Sequence, residues 1–236
     1  TGVLEVDPGQ RRVRVQPGVI LDDLNDLLAP HGLIFGPETS TSNRCMIAGM
    51  IGNNSCGTHS IIWGTTRDHT LEIEAVLSDG SVARFGDLPP EALDAKRALQ
   101  TLEGQLYRDV CALIDAHRET ILERFPRPEI LRRNTGYALD VLARSQPWEP
   151  EGPAFNMCRL LCGSEGTLAL ITEATLNLVS LPKHKLLVCA HFDTLDASMH
   201  GTVLAVEHEP AAVELMDRRI MEATRDNIEQ ARNRFW

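Results

Sequence analysis

Residues 36–69 read GPETSTSNRCMIAGMIGNNSCGTHSIIWGTTRDH, and they restrict the fold more than any other segment of the chain. Gly49, Gly52, Gly57 and Gly64 stand among Ile47, Met50, Ile51, Ile61 and Ile62. A solvated loop has no need of so many glycines beside so many apolar residues. A backbone that must approach a ligand closely does need them, because glycine removes the Cβ and permits positive φ. The hydroxyls, side-chain amides and backbone N–H groups in between suit phosphate or polyhydroxyl recognition.

The rest of the chain must supply a scaffold for this segment. With 236 residues there is room for one large domain or two modest ones. A net charge of −10 argues against a non-specific nucleic-acid binder and against attraction to an anionic membrane. No apolar run approaches the roughly 20 residues that span a bilayer, so no transmembrane segment is expected. Cys45, Cys56, Cys111, Cys158, Cys162 and Cys189 are irregularly spaced without a C-x-x-C, and buried free thiols are expected rather than a disulfide framework. The chain begins at Thr1 and is strand-like by Val3, which leads us to expect a piece of a longer protein whose targeting signal cannot be read here.

Residues 3–19 predict a hairpin turning at Pro8-Gly9, with Val13 and Val15 on one face and Arg12, Arg14 and Gln16 on the other. Residues 20–31 predict an amphipathic helix with Leu21, Leu24, Leu27 and Leu28 in one stripe, stopped by Gly32. A short strand over residues 33–35 follows. Residues 71–85 predict a second hairpin around Asp79-Gly80. Residues 88–125 predict helix, with a stripe of Leu106, Val110, Leu113 and Ile114, and residues 126–156 read as loop outside the core. From Arg159 the pattern predicts strand, glycine turn and a β-rich run ending near Pro182. Residues 186–192 and 211–217 predict strands, and residues 194–208 and 218–235 predict helices, so an α+β unit begins there without enough strands to close a sheet.

Two of these stretches carry a family resemblance. PGVILDDLNDLLAPHGLIFGPETSTSNRCMIAGMIGNNSCGTHSIIWGTTRDHTLEIEAVLSDG resembles the FAD-binding domain of the vanillyl-alcohol oxidase / p-cresol methylhydroxylase flavoprotein family, and CGSEGTLALITEATLNL resembles its second hallmark. Within that family the pattern is nearest to glycolate oxidases, D-lactate dehydrogenases and D-2-hydroxyglutarate dehydrogenases. RRNTGYALD resembles the large bacterial members that fuse an FAD domain to an iron–sulfur domain. The resemblance implies an α+β fold of the p-cresol methylhydroxylase (PCMH) type, a mixed or antiparallel sheet flanked by helices. Residues 1–182 would be its second subdomain, with a helical and loop insertion at about 88–156, and residues 183–236 would begin a C-terminal cap. The family's other phosphate loop, R-G-x-G-T-S, is absent, which implies that part of the FAD site lies outside this chain and that the chain alone binds FAD weakly or not at all.

The same resemblance implies a set of cofactor contacts. Pro37, Glu38, Thr39 and Ser40 match the segment beside the flavin ring and ribityl chain. Gly49, Gly52, Asn53, Asn54, Ser55 and Gly57 match the run around the ribityl and pyrophosphate. Glu165, Gly166 and Ile171 match the turn at the adenosine end. Glu38 stands where the family usually has aspartate, and Ala48 and Ala169 replace common glycines. Plainer readings compete. Asn53 and Asn54 are frequent turn residues that bond to backbone, Glu165 suits any turn, and Arg67 and Asp68 are expected to form a structural ion pair. His59, near the expected ring edge, is a lone histidine and so more often structural. Arg132, Arg133 and Tyr137 could grip a substrate carboxylate, although a solvated basic turn is the more ordinary reading.

The implied activity is oxidation of a small D-2-hydroxy acid by hydride transfer to FAD. The substrate-holding cap motif, any iron–sulfur cluster and the electron acceptor would belong to the rest of the parent protein, so no catalytic residue is assigned here. Cytoplasmic location is expected, with the parent peripheral to the membrane as the alternative. A non-catalytic module and an FAD oxidase of alcohols or sugars are the competing functions. Metal and acyl-transfer chemistry are weakly supported: Cys158 and Cys162 lack partner ligands, and Ser164 lies in G-S-E-G rather than G-x-S-x-G.

Overall fold

The computed structural model describes residues 2–130, 132–133 and 136–227. The chain divides into two compact units, Thr1–Pro182 and Lys183–Trp236.

In the first unit, β1 (Val3–Asp7) and β2 (Arg12–Val15) form the expected antiparallel hairpin. Val13 and Val15 are buried, while Arg12 and Arg14 face out. Helix α1 (Leu21–Leu28) runs into a 3-10 turn over Ala29–His31, and Gly32 ends it in the left-handed region at φ 68°. Its buried stripe is Leu21, Leu24 and Leu28. Leu27 is 43% exposed, which corrects the expected stripe: at 100° per residue it lies on the flank. Strand β3 (Leu33–Ile34) then leads to the glycine-rich segment, which holds three short helices, α2 (Ile47–Asn53), α3 (Ser60–Trp63) and α4 (Thr66–His69). Ile47, Met50 and Ile51 are buried, whereas Ile61 and Ile62 are exposed.

Strands β4 (Thr70–Val76) and β5 (Val82–Phe85) form the second hairpin, with Gly80 at φ 84° in its turn. Helices α5 (Pro90–Ala98) and α6 (Leu102–Arg124) follow. The face that α6 buries is Gly104, Tyr107, Cys111, Ile114 and Ile121. Leu106 and Val110 pack partly against the core and Leu113 is 41% exposed, so the buried face is turned away from the expected stripe. Residues 126–156 are also more than a loop. Helix α7 (Leu139–Ala143) buries Leu142 and Ala143, and Phe155 is fully buried against Tyr107. These apolar side chains extend the core, which corrects the reading of this stretch as lying outside it.

Residues 158–161 form a helical turn, α8 (Cys158–Leu161), where a strand was expected. Here Cys158, Leu160, Leu161 and Cys162 are all buried around a half-buried Arg159, a run too short for period to separate helix from strand. Strand β6 (Leu170–Asn177) inserts between the two hairpins, and β7 (Val179–Ser180) pairs with β3. The large sheet has order β1-β2-β6-β4-β5, antiparallel throughout, so the α+β class with an antiparallel sheet flanked by helices is as expected.

In the second unit, α9 (Leu195–Val206) is capped by the Thr194 hydroxyl, which accepts from the Ala197 N–H at 3.1 Å. Helix α10 (Arg218–Ala223) follows. The strands expected at 186–192 and 211–217 are not formed. Leu186, Leu187 and Val188 are 92%, 84% and 77% exposed, and among the described residues no ladder partner reaches them. An isolated strand leaves its N–H and C=O groups unpaired, so apolar alternation alone does not make one. The expected helix over 218–235 extends in part beyond the described residues, from 228 onward. Among the described residues no helix is long and apolar enough to cross a membrane.

Candidate functional site

The glycine-rich segment meets the 163–167 turn backbone to backbone. Helix α2 ends at Asn54, which adopts φ 52°. Gly163 donates its N–H to the Ile51 carbonyl, and Glu165 donates to the Gly52 carbonyl, each at 3.0 Å. A Cβ on Gly52 would lie 3.7 Å from Glu165 Cα and 3.9 Å from Gly166 N. The turn itself is built from left-handed residues, Gly163 at φ 96°, Glu165 at 50° and Gly166 at 73°. Such a conformation is strained for the non-glycine Glu165. Asn53 binds across the junction: its Nδ2 donates to Glu165 Oε1 at 3.0 Å and its Oδ1 accepts from the Ser55 hydroxyl at 3.1 Å.

Behind this junction sits a buried polar support. Asn54 Oδ1 accepts from the Arg67 N–H at 2.8 Å, the backbone role its residue type suggested. Arg67 donates from Nε to the Arg159 carbonyl at 3.0 Å and from Nη2 to the Cys162 carbonyl at 2.6 Å, and Arg159 donates back to the Arg67 carbonyl. Burial lowers the Arg67 pKa, partly offset by Cys162 and Asp68. Asp68 instead closes a capping box on α4, accepting from the Thr65 N–H at 2.7 Å and hydroxyl at 2.9 Å. The expected Arg67–Asp68 ion pair is therefore replaced by two separate structural roles, because each side chain finds orphan backbone groups nearer to hand.

A second junction lies at Glu38. Its backbone packs against Gly57, where a Cβ would collide with the Glu38 carbonyl oxygen and come within 2.7 Å of its Cγ. The Glu38 carboxylate accepts from the Thr58 hydroxyl and contacts His59 Nδ1, and His59 lies 5.1 Å from the Trp63 ring. Partial burial raises the Glu38 pKa, but the hydrogen bonds from Thr58 and His59 and the imidazole charge outweigh it and leave the carboxyl below its ordinary value. Pro37 is buried, Thr39 shares hydrogen-bond contacts with Thr41 and Cys45 at 3.1 and 3.3 Å, and Ser40 is exposed.

The structure thus brings together Gly52, Asn53 and Ser55 with Glu165 and Gly166, and separately Glu38 with Gly57. Ile171 stands apart, on β6 opposite Ala75 and partly buried against the core. Arg132 donates from Nε to Cys56 Sγ at 3.2 Å, next to Ser55 in the chain, and Tyr137 shares a 2.7 Å hydrogen bond with Thr167. Arg133 turns inward to the buried Asp140, so the carboxylate it holds is the protein's own. Asn134 and Thr135 of the same motif lie outside the described residues. Contacts that the sequence did not reveal are Glu38 with His59 and Tyr137 with Thr167. Neither spacing is periodic, so no sequence signal marks them.

Buried Asn54 Nδ2 has no hydrogen-bond partner among the described residues, and the space around Gly49 and Gly166 is open, with no described atom within 4 Å of an added Cβ. Open backbone at Gly49 and Gly166, on the two segments that the junction joins, fits a ligand that approaches the main chain closely, such as a dinucleotide. Among the described residues there is no group of three or more His, Cys, Asp or Glu side chains arranged to hold a metal. Cys111, Cys158 and Cys162 are buried, Cys45 and Cys56 half-buried, and Cys189 exposed, so the expectation of buried thiols holds for three.

Comparison with known proteins accords with this geometry. Residues 1–86 match the family model described as FAD binding domain. Along nearly its whole length the chain is similar to named oxidoreductases. It is 38% identical to the D-2-hydroxyglutarate dehydrogenase of Pantoea ananatis, over 96% of this chain and 21% of the relative. It is 36% identical to the enzyme of that name from Escherichia coli, over 96% of this chain and 22% of the relative. It is 26% identical to the glycolate oxidase protein GlcD of Bacillus subtilis, over 92% of this chain and 34% of the relative. The chain thus spans about a fifth of the length of the two dehydrogenases and about a third of GlcD.

Proposed function

We propose that this chain is part of an FAD-dependent oxidoreductase that oxidises a small D-2-hydroxy acid of the lactate, glycolate or 2-hydroxyglutarate type by hydride transfer to flavin. The observation that carries the reading is the junction of Gly52 with the Glu165–Gly166 turn, within a chain whose first 86 residues match an FAD binding domain. In this reading residues 1–182 are the second subdomain of a PCMH-type FAD domain with an insertion at about 88–156, and residues 183–236 begin the cap. The full-length parent would contribute the rest of the flavin site, the electron acceptor's docking site and any iron–sulfur cluster. It would act in the cytoplasm, free or peripheral to the membrane.

Bound there, the flavin supplies the two-electron acceptor. The chain's own residues bind and orient it. The open faces of Gly49 and Gly166 admit the cofactor close to backbone, and Gly52 lets the 163–167 turn pack against α2. Asn53 and Ser55 hold the loop by their mutual hydrogen bond and by the Asn53 contact to Glu165. Pro37, Glu38, Thr39 and Ser40, anchored where Glu38 packs on Gly57, form the wall beside the ring, and Ile171 lies further along, on β6 after the turn. Arg132 and Tyr137 stand at the rim, where the exposed Arg132 guanidinium offers a fork to a substrate carboxylate; Arg133 acts behind them through Asp140.

The test is an absorbance spectrum of the purified full-length protein, followed by anaerobic bleaching with D-lactate, glycolate and D-2-hydroxyglutarate. The reading expects flavin bands that one of these substrates bleaches. Absence of flavin after incubation with FAD would favour a non-catalytic module, and bleaching only by alcohols or sugars would favour the oxidase alternative.

A further inference from the structure

The 163–167 turn contains three left-handed residues, Gly163, Glu165 and Gly166, and Glu165 adopts that conformation without being glycine. Strained backbone of this kind persists only where its surroundings over-determine it. Two of its supports are the hydrogen bonds to the Ile51 and Gly52 carbonyls. A third is the side chain of Arg67, which is 6% exposed. Its guanidinium is directed at two carbonyls, Arg159 at 3.0 Å and Cys162 at 2.6 Å, both at the end of α8, where carbonyls lack partners within the helix. A Cβ on Gly163 would fall 2.9 Å from Arg67 Nη2, so the guanidinium is packed against the first residue of the turn. The Arg67 backbone N–H goes to Asn54 Oδ1 at 2.8 Å, at the end of α2. One residue therefore ties together the two sides of the junction.

Burying a guanidinium costs free energy that a neutral side chain of similar length would not. What guanidinium alone supplies is a rigid planar fork that meets two carbonyls at once, whereas lysine is a point donor on a flexible stem. The rest of α4 does not depend on that fork. Thr65 and Asp68 close its capping box. Thr66 donates to the Ser55 carbonyl from its N–H at 3.0 Å and from its hydroxyl at 2.7 Å. Replacing the Arg67 side chain thus frees the Arg159 and Cys162 carbonyls while α4 stays docked beside Ser55.

We propose that Arg67 is the positioning residue of the cofactor junction: its fork on the Arg159 and Cys162 carbonyls holds the 163–167 turn in the left-handed form that leaves Gly166 open, and so sets the preference for a flavin dinucleotide over a mononucleotide. This rests on the FAD reading above, in which the turn meets the adenosine end. Arg67 is buried and acts through the turn rather than by touching the cofactor. Without the fork the turn relaxes toward less strained backbone, and the part of the ligand that reaches it loses its contacts. A ligand that ends before the turn is indifferent to the change.

The experiment titrates FAD and FMN separately against the full-length apoprotein, followed by flavin fluorescence, with circular dichroism checking the fold of each variant. Arg67→Lys keeps the charge and loses the fork; Arg67→Met keeps the length and loses both. Each is expected to bind FAD roughly tenfold to a hundredfold more weakly than the wild type, the scale of one or two charge-assisted hydrogen bonds, with FMN affinity unchanged. Arg67→Ala leaves room at the site, and it is expected to recover FAD affinity when guanidinium ion is added below its denaturing range, but not when sodium or methylammonium ion is added. If Arg67→Met does not fold, or FMN binds the wild type too weakly to measure, Arg67→Lys and the guanidinium rescue decide the matter. Wild-type FAD affinity in Arg67→Lys, FAD and FMN affinities that fall in parallel, or an Arg67→Ala that guanidinium does not rescue each overturns the inference while leaving FAD binding intact. A wild type that binds no FAD overturns the FAD reading itself.

Discussion

At the scale of single residues, the glycines of the 36–69 segment do different jobs that composition alone does not separate. Gly57 is required by contact, since any Cβ strikes Glu38. Gly166, in the turn that meets this segment, is required by its φ of 73°, and a side chain there meets nothing within 4 Å. Gly49 is required by neither: it sits inside α2 with open space where a Cβ would go. Gly57→Ala should therefore destabilise the fold by about 1–3 kcal/mol through overpacking. Gly49→Ala should stabilise it by about 0.5–1 kcal/mol through helix propensity, while removing open space the cofactor is proposed to use. Urea denaturation of both variants checks the pair, and a destabilising Gly49→Ala would count against the assignment of α2. The sequence made this segment conspicuous as a ligand-approaching backbone. It did not show that Glu38 reaches His59, because that contact depends on how two loops fold over Gly57.

At the scale of elements, hairpins were legible and helix faces only partly so. Pro8-Gly9 and Asp79-Gly80 fix their turns locally, and the flanking alternation fixes which valines point inward. Helix α6 has apolar residues on more than one face, so its buried side is chosen by what packs on it: Tyr107 lies against Phe85 and Phe155. The consequence is a sharp contrast between neighbours. Ile114→Ala should lower stability by about 2–4 kcal/mol and Leu113→Ala by under ~1 kcal/mol, since the first is fully buried and the second 41% exposed. Thermal and chemical melts distinguish them, and equal losses would mean the helix is rotated from the position described. The strands expected in the second unit failed for a related reason: a strand is defined by its neighbour, and residues 186–192 have none among those described.

At the scale of the whole molecule, the chain couples a sheet to a buried layer of thiols and aromatics. Burial raises Cys111 and Cys162 to about 11, with Arg97 opposing the shift at the first and Thr70, Arg67 and Arg159 opposing it at the second. In the unfolded chain the same thiols ionise near 9.0. Between those values the unfolded state holds fewer protons, so folding stability falls as pH rises from about 9 toward about 11. Urea midpoints should drop over that window in the wild type and drop less in Cys111→Ala and Cys162→Ala, each compared with its own value near neutral pH. An identical alkaline slope in all three would remove the thiols as the cause. The sheet order was the least legible feature, because β6 lies between β2 and β4 although helices α5 to α8 separate it from both in sequence. That placement has a consequence for biosynthesis. Emerging from the ribosome, the two hairpins each present an open edge while helices α5 to α8 are still being made, and the sheet closes only when residues 170–177 arrive. The nascent chain must stay soluble through that interval, and the Arg and Glu side chains on the outward sides of β2 and β4 keep those waiting edges charged.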